Sequence, residues 1–405
     1  MVEPDMGGRG VGMARETADA VIIGGGVMGT SIAFQLARRG FGKIVLLERD
    51  GIASGTSGKS SALVRMHYSN ESTIRMAWRS LDIFENFEEI TGGGQASFKQ
   101  PGYLVFANEA LAEGVQRNIS LARSLGVETE WIDPGEVARL APWARLDDLA
   151  GAAYERRSGY ADPYGVAMGF ADGARKHGAI IRQNCPVTGV RVEGGRAVGV
   201  DTPRGPVDSP VVVNAAGAWV NKVAGLSGDW FPAEAIREQD TVFETAGIGG
   251  ERVGVMVYDA PTKLYFRPEG ADLLLIGRDN IEPEHVDPDD FNEKEDMAFV
   301  LDVVKRMTPR WPDFENAHLL RGWGCLYCIT PDWMPIMDRH PGTAGYFICT
   351  GMSGHGFKLS PAVGEMMAEL IMTGACPRPD ISDYRLARFS EGRLMQSVFD
   401  RGFQG

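Results

Sequence analysis

The run DAVIIGGGVMGTSIAFQLARRG, residues 19–40, constrains this chain more than any other stretch. DAVIIG (19–24) is short, apolar, β-branched and closed by glycine, the pattern of a buried parallel strand. MGTSIAFQLARR (28–39) follows, with Ile32, Ala33 and Leu36 on one helical face and Gly40 as a stop. KIVLLE (43–48) is a second buried strand, so the chain opens strand–helix–strand, the start of a doubly wound sheet. Gly24, Gly26 and Gly29 fit G-x-G-x-x-G. The first glycine permits a tight turn, the second lets a pyrophosphate reach the backbone, and the third lets helix pack on strand. The helix N-terminus offers unpaired N–H groups and a positive dipole end to phosphates. Glu48, 24 positions after Gly24, stands where an acid accepts ribose hydroxyls. A glycine-rich structural turn would explain the glycines but not Glu48. The order of the parts predicts a bound dinucleotide without separating FAD from NAD.

The next stretch, GIASGTSGKSSALVR (51–65), is rich in glycine and hydroxyls where an NAD protein normally continues with a helix. It suits contacts along an extended pyrophosphate and flavin, and equally suits a solvated loop. Farther along, 72–90 is expected to be one helix, with Ile74, Trp78, Leu81 and Phe84 at helical spacing. A strand at 99–107 and an amphipathic helix at 109–125 follow. Residues 158–182 read strand–helix–strand, 191–200 as a Gly-Gly hairpin, and 211–219 as a buried strand. KLYFRPEGADLLLIG (263–277) turns like an antiparallel hairpin, and from 343 the chain returns to strand and helix. The fold class expected is α/β plus α+β. A Rossmann-like nucleotide domain (19–95, 155–225 and 320–390) is interleaved with an antiparallel-sheet substrate domain (96–154 and 226–319). Residues 1–18 lack the apolar core and charged start of a secretory signal and are expected to form a flexible tail.

With 405 residues, 44% hydrophobic and 23% charged, the chain suits an enzyme of about two to three domains. A net charge of −13 without a basic cluster argues against nucleic acid or anionic membrane as partner. No apolar run approaches the roughly 18 residues of a membrane span. Five thinly spread cysteines suggest a reducing, cytoplasmic compartment.

Two of those cysteines, Cys325 and Cys328, share GWGCLYCITPD (322–332). A zinc site would need a second ligand pair, which neither Cys349, Cys376 nor the six scattered histidines offers. A thioredoxin-type disulfide opens a helix after a first strand, whereas this pair precedes Pro331 in a strand or turn. Packing remains open, because free cysteine is among the most buried residue types.

Five separated motifs, in order, resemble FAD-dependent amine oxidases of the D-amino-acid oxidase superfamily, and sarcosine oxidases above all. They are Gly24–Gly29 with Glu48, GTSGKSS (55–61), VVVNAAGAW (211–219), RGWGCLYCITPD (321–332) and GMSGHGFKLS (351–360). The resemblance implies FAD as cofactor. It assigns FAD contacts to Gly24, Gly26, Val27, Met28, Gly29, Glu48, Arg49, Ser57, Ser60 and Ser61. Val187, Ala216, Gly217, Trp219, Gly354, His355, Gly356, Phe357 and Lys358 complete that set. In monomeric sarcosine oxidases a cysteine in a Cys-x-Tyr-x-x-Thr context bonds the 8α-methyl of FAD. Cys325 stands at that position, so a covalent thioether is implied there. In β subunits of the heterotetrameric enzymes the position is typically glycine, and Cys328 has no counterpart.

The same resemblance makes Arg65, in LVRMHY, the arginine that grips a substrate carboxylate, and Lys358 the lysine that completes the grip. Tyr265, in LYFRP, matches a tyrosine that shapes the amine pocket. By residue type alone, Arg65 and Lys358 would be surface charges and Tyr265 a half-exposed strand aromatic. PAVGEMMAELIM is expected to form a helix with Pro361 in its first turn, aiming its dipole at the flavin. His355 is expected to support the loop before it. Two departures stand out: Asp279 takes the place of a histidine, and Leu275 that of the lysine promoting oxygen attack on reduced flavin. The implied activity is oxidation of a small N-methyl amino acid such as sarcosine to formaldehyde and the demethylated amino acid. Oxygen is the implied acceptor and yields hydrogen peroxide. A dehydrogenase with another acceptor, and an oxidase of L-proline or glycine, are the alternatives. A monomer or small homo-oligomer without metal, membrane or nucleic acid is expected.

Overall fold

The computed structural model describes residues 16–250, 253–279, 282–376 and 380–395 of the chain. Ala20–Ile23 forms a strand with all four residues buried. It pairs in parallel with Ile44–Leu47 on one side and Val212–Asn214 on the other. The complete sheet has six strands, ordered Ile336–Arg339, Tyr346–Thr350, Val212–Asn214, Ala20–Ile23, Ile44–Leu47, Ile180–Arg182. Only the first pair is antiparallel. The Val27–Arg38 helix lies on this sheet and is crossed so closely by the Gly356–Thr373 helix that a Cβ on Gly364 would sit 2.0 Å from Ser31 Oγ. A small four-stranded sheet holds the 189–201 hairpin, which turns on Gly194 and Gly195 at φ 57° and 74°. Its outer strand is Glu16–Thr17, inside the stretch expected to be a tail, paired with Val207–Asp208. Residues 1–15 lie outside the described residues.

The second large sheet has nine strands, mostly antiparallel, assembled from residues 103–107, 130–132, 151–155, 234–244, 256–259, 264–268, 273–278, 284–285 and 318–329. Strand alternation gives it two unlike faces. One is apolar, with Phe106, Val257, Phe266, Leu274 and Ile276 packed under Phe299, Val303 and Met307 of the Met297–Arg310 helix. The other carries Tyr103, Met256, Tyr258 and Tyr265, with Val115 and Ile119 of the Glu109–Ser124 helix in the same cluster.

Three further details differ from expectation. The His318–Ile329 strand, expected to begin the last nucleotide segment, runs antiparallel along Glu234–Glu244 in the nine-stranded sheet. Strand pairing is non-local, and nothing in a strand's own residues names its partner. The 72–90 helix is two helices, Glu71–Glu85 and Phe87–Thr91. They part at Asn86, whose side chain donates to the Asp82 carbonyl at 2.8 Å and competes with the helix ladder. The Gly356–Thr373 helix begins earlier than expected, so Pro361 lies inside it. Proline cannot donate to the Phe357 carbonyl, and Ser360 Oγ donates there instead at 2.9 Å. Lys358 is thereby placed in the first helical turn. No helix among the described residues is long and apolar enough to cross a membrane.

Candidate active site

A cavity of about 570 Å³ runs between the two large sheets, with Glu48 and Trp219 on its nucleotide-side wall and Asp240 and Cys325 on its other. At the nucleotide end the wall is backbone. Gly24 has φ +110°, and a Cβ there would lie 2.5 Å from the Ala215 carbonyl oxygen. A Cβ on Gly29 would lie 1.9 Å from the Gly24 carbonyl oxygen. Ser57 Oγ accepts from the Val27 N–H at 3.0 Å, so the hydroxyl-rich loop docks on the helix start. Glu48 accepts from the Gly25 N–H at 2.6 Å and the Asp50 N–H at 2.7 Å, which pins its carboxylate at the end of the second strand. This cradle, which side chains at Gly24 or Gly29 would fill, together with a fixed acid at the ribose position, fits a dinucleotide.

Across the mouth runs a segment that sequence reasoning missed. Asp289 accepts from Arg49 at 2.8 Å and from the Trp219 indole at 2.6 Å, while Arg49 stacks 4.8 Å from the Trp219 ring. Lys222 pairs with Asp287 and Asp289, and Lys59 with Glu293 at 2.9 Å. The Lys222 hydrogen bond first, and then those of the Trp219 indole and Arg49, hold Asp289 well below the usual carboxylate range against the effect of burial.

All residues that the resemblance assigns to FAD reach the cavity wall except Gly29 and His355. Of the substrate candidates only Lys358 does; Arg65 and Tyr265 stand behind the wall. Lys358 is buried, and its Nζ lies 3.4 Å from the Gly354 carbonyl oxygen. Burial first, and then the Arg65 charge, push its ammonium well below the usual lysine range, with no acid among the groups acting on it. Arg65 is 1% exposed, donates to the His67 carbonyl and lies 4.5 Å over the Tyr68 ring. Burial opposes its charge, but Tyr68, Tyr103, Glu155 and Asp279 outweigh that and raise its pKa. Asp279 also accepts from the Tyr258 hydroxyl. His355 meets Tyr68 edge-on, ring centroids 5.5 Å apart, and burial with Lys358 and Arg65 keeps it neutral.

The sheet wall is made of side chains brought together by register. Tyr265 pairs with Gly277, Gly277 with Asp240, and Asp240 with Trp323. Directly paired residues share a face. Tyr265 donates to Asp240 Oδ1 at 2.9 Å. A Cβ on Gly277 would lie 2.2 Å from Tyr265 Oη and 2.4 Å from Asp240 Oδ1, so the glycine makes room for the pair. Leu275 is 2% exposed and pairs with Val242 and Arg267 on this face. The Arg267 guanidinium is committed to the Ser61 carbonyl at 2.7 Å and to Glu269. Sequence reasoning missed Asp240 and gave Tyr327 no role. Tyr327 lines the cavity and packs where a Cβ on Gly354 would lie 2.6 Å from its ring.

Cys325 and Cys328 lie three apart in one strand and therefore project to opposite faces. They cannot share a metal or a disulfide. Burial, with Asp240 and Glu238, pushes the Cys325 thiol well above its usual pKa. Cys328 Sγ lies 3.5 Å from Thr350 Oγ1. Among the described residues no group of three or more His, Cys, Asp or Glu could hold a metal ion.

Residues 19–370 match the family model described as FAD dependent oxidoreductase. The chain belongs to this family. FAD is its cofactor, and the cradle at Gly24–Gly29 with Glu48 fits such a dinucleotide. Over 384 residues this FAD-dependent oxidoreductase is 30% identical to human mitochondrial sarcosine dehydrogenase, covering 92% of this chain but 41% of that one. It is 27% identical over 393 residues to sarcosine oxidase subunit beta of Rhodobacter capsulatus, covering 95% of this chain and 91% of the relative. The L-proline dehydrogenase of P. horikoshii superposes with a TM-score of 0.86 at 30% identity, over 94% of this chain and 100% of that one.

Proposed function

We propose that this flavoenzyme oxidises the C–N bond of a small secondary amino acid whose carboxylate sits against Lys358, with Arg65 behind it. The observation that carries this reading is the Lys358 ammonium, buried at the cavity wall with no acid among the groups acting on it. A buried cation needs an anion to stay charged. Sarcosine and L-proline, in the names of the relatives above, both join a secondary amine to a carboxylate, which supports the class. Bound FAD supplies a two-electron acceptor for hydride. Lys358 and the start of the Gly356–Thr373 helix bring positive charge to the anionic end of the substrate. Arg65 adds to that field and lowers the pKa of the substrate ammonium, which must lose a proton before hydride can leave. Asp240 lies on the opposite wall, with Tyr265 behind it. Sarcosine would give an iminium that water converts to formaldehyde and glycine.

The same reading assigns residues 19–95, 155–225 and 330–390 to an FAD-binding domain, and 96–154 and 226–329, which include the 318–329 strand, to a substrate domain. Leu275 favours an acceptor other than oxygen, because that position is apolar and the neighbouring Arg267 is already engaged. We also propose the Cys325–FAD thioether, supported by the place of Cys325 on the cavity wall.

Anaerobic mixing with sarcosine and with L-proline tests the substrate class. Bleaching of the flavin by at least one of them, with slow recovery in air, is the expected result. No bleaching by either overturns the substrate class, and rapid recovery in air overturns the acceptor. Acid precipitation should leave yellow colour in the pellet, lost in Cys325→Ala; colour in the supernatant would exclude the thioether.

A further inference from the structure

The sheet wall carries a carboxyl group that the reading above leaves without a task. Asp240 lines the cavity, is 3% exposed, and has no ion-pair partner among the described residues. Among the described residues its side-chain partner is the Tyr265 hydroxyl at 2.9 Å, and the missing side chain of Gly277 leaves space around both. Building on the proposed substrate class, we infer that Asp240, positioned by Tyr265, is the catalytic base that takes the proton from the bound substrate ammonium. The step is a proton transfer alone. The N–H bond of the ammonium breaks, an O–H bond forms on Asp240, and the electron pair stays on nitrogen, ready to support loss of hydride from carbon.

The groups facing Asp240 agree with this task. From the Leu264–Pro268 strand come Tyr265 and Arg267, and Arg267 is occupied by Ser61 and Glu269. Leu275 and Gly277 of the next strand bring no charge. The His318–Ile329 strand contributes Cys325 and Tyr327, and Asp240's own strand contributes Glu238. Lys59, from the loop opposite, is paired with Glu293. Burial pushes the Asp240 carboxyl up to about 7, against the opposing pull of Tyr265 and Arg267. A base with that affinity is partly ionised at neutral pH and still binds a proton well.

Other candidates fall short. His67 is driven down to about 3 by burial and Arg65, and His355 is also held well below its usual value, so neither retains a proton near neutrality. Glu155 is tied to the Met66 N–H and the Ser158 hydroxyl and does not reach the cavity wall.

The test compares FAD-loaded wild type with Asp240→Asn and Tyr265→Phe, using whichever of sarcosine or L-proline bleaches the wild type. Wild-type bleaching should speed up as pH rises through about 7 and then level off. Asp240→Asn should keep its flavin content and visible spectrum, lose that limb, and fall about 100-fold at the plateau. A limb retained near pH 7 in the variant, or an unchanged rate, overturns the assignment. Infrared titration without substrate gives an independent readout. A carboxyl band should disappear with its midpoint near pH 7, be absent from Asp240→Asn, and shift to higher pH in Tyr265→Phe, which removes the hydrogen bond favouring the anion. If that band does not titrate, or persists in Asp240→Asn, the proposal is wrong. Wild type that bleaches with neither amine overturns the substrate class and this base together; bleaching with an unchanged limb in the variant overturns the base alone.

Discussion

The two ends of the cavity are made of different material. At the nucleotide end the wall is backbone, and Gly24, Gly26 and Gly29 matter because they have no side chains; a Cβ on Gly29 would lie 1.9 Å from a carbonyl oxygen. At the sheet end the site is made of side chains, Asp240 and Cys325 on the wall with Tyr265 and Leu275 on the same sheet face, delivered by four different strands. The first kind of site requires a local conformation and tolerates most other changes. The second requires every strand to hold its register, since a slip of one residue would turn each of these groups away.

The largest effect should separate the two ends outright. Gly29→Val puts a branched side chain into the Gly24 carbonyl, and the purified protein should be colourless, with no flavin absorbance. Flavin at wild-type occupancy would mean that the cradle is not where FAD is held.

Lys358→Met should act on substrate binding rather than on the glycine cradle. Truncating one partner of a buried charge pair costs about 2–5 kcal/mol, so KM for the bleaching amine should rise at least about 30-fold with flavin content unchanged. A variant that loses flavin and substrate binding together would erase the distinction drawn here.

The smallest effect is at the mouth. Asp289 is 42% exposed at its side chain, and its pairs with Arg49 and Lys222 are screened by solvent. Asp289→Asn should weaken FAD binding about two- to three-fold at low salt, and the difference should vanish in high salt. A larger, salt-independent loss would make this segment part of the cradle itself.

The legibility of the site follows the same division. Gly24 through Glu48 form one strand–helix–strand unit, so spacing alone revealed their task. Glu238 and Asp240 sit at alternate positions of EAIREQDTVFE, which places two acids on one face of a strand. That was a usable signal, because an acid at an inward position of a buried strand calls for a partner or a function. Which residues would surround Asp240 was not readable, because Gly277 and Tyr265 reach it only through pairings with strands that arrive later in the chain. For Cys325 and Cys328 the sequence already argued against a shared metal or disulfide, and the strand adds the reason in geometry by placing them on opposite faces.

The nucleotide cradle and the class of its cofactor were legible in the sequence alone, and Lys358 was singled out by the resemblance of GMSGHGFKLS to a family motif. Each rests on contacts a few residues apart or on a motif within one unit. Only the tertiary structure decided that the 318–329 strand joins the second sheet, that Arg65 stands behind the wall, and that Asp240 meets Tyr265 across a glycine. The physical reason is that strand pairing is set by burial and register over the whole sheet, which no single segment encodes.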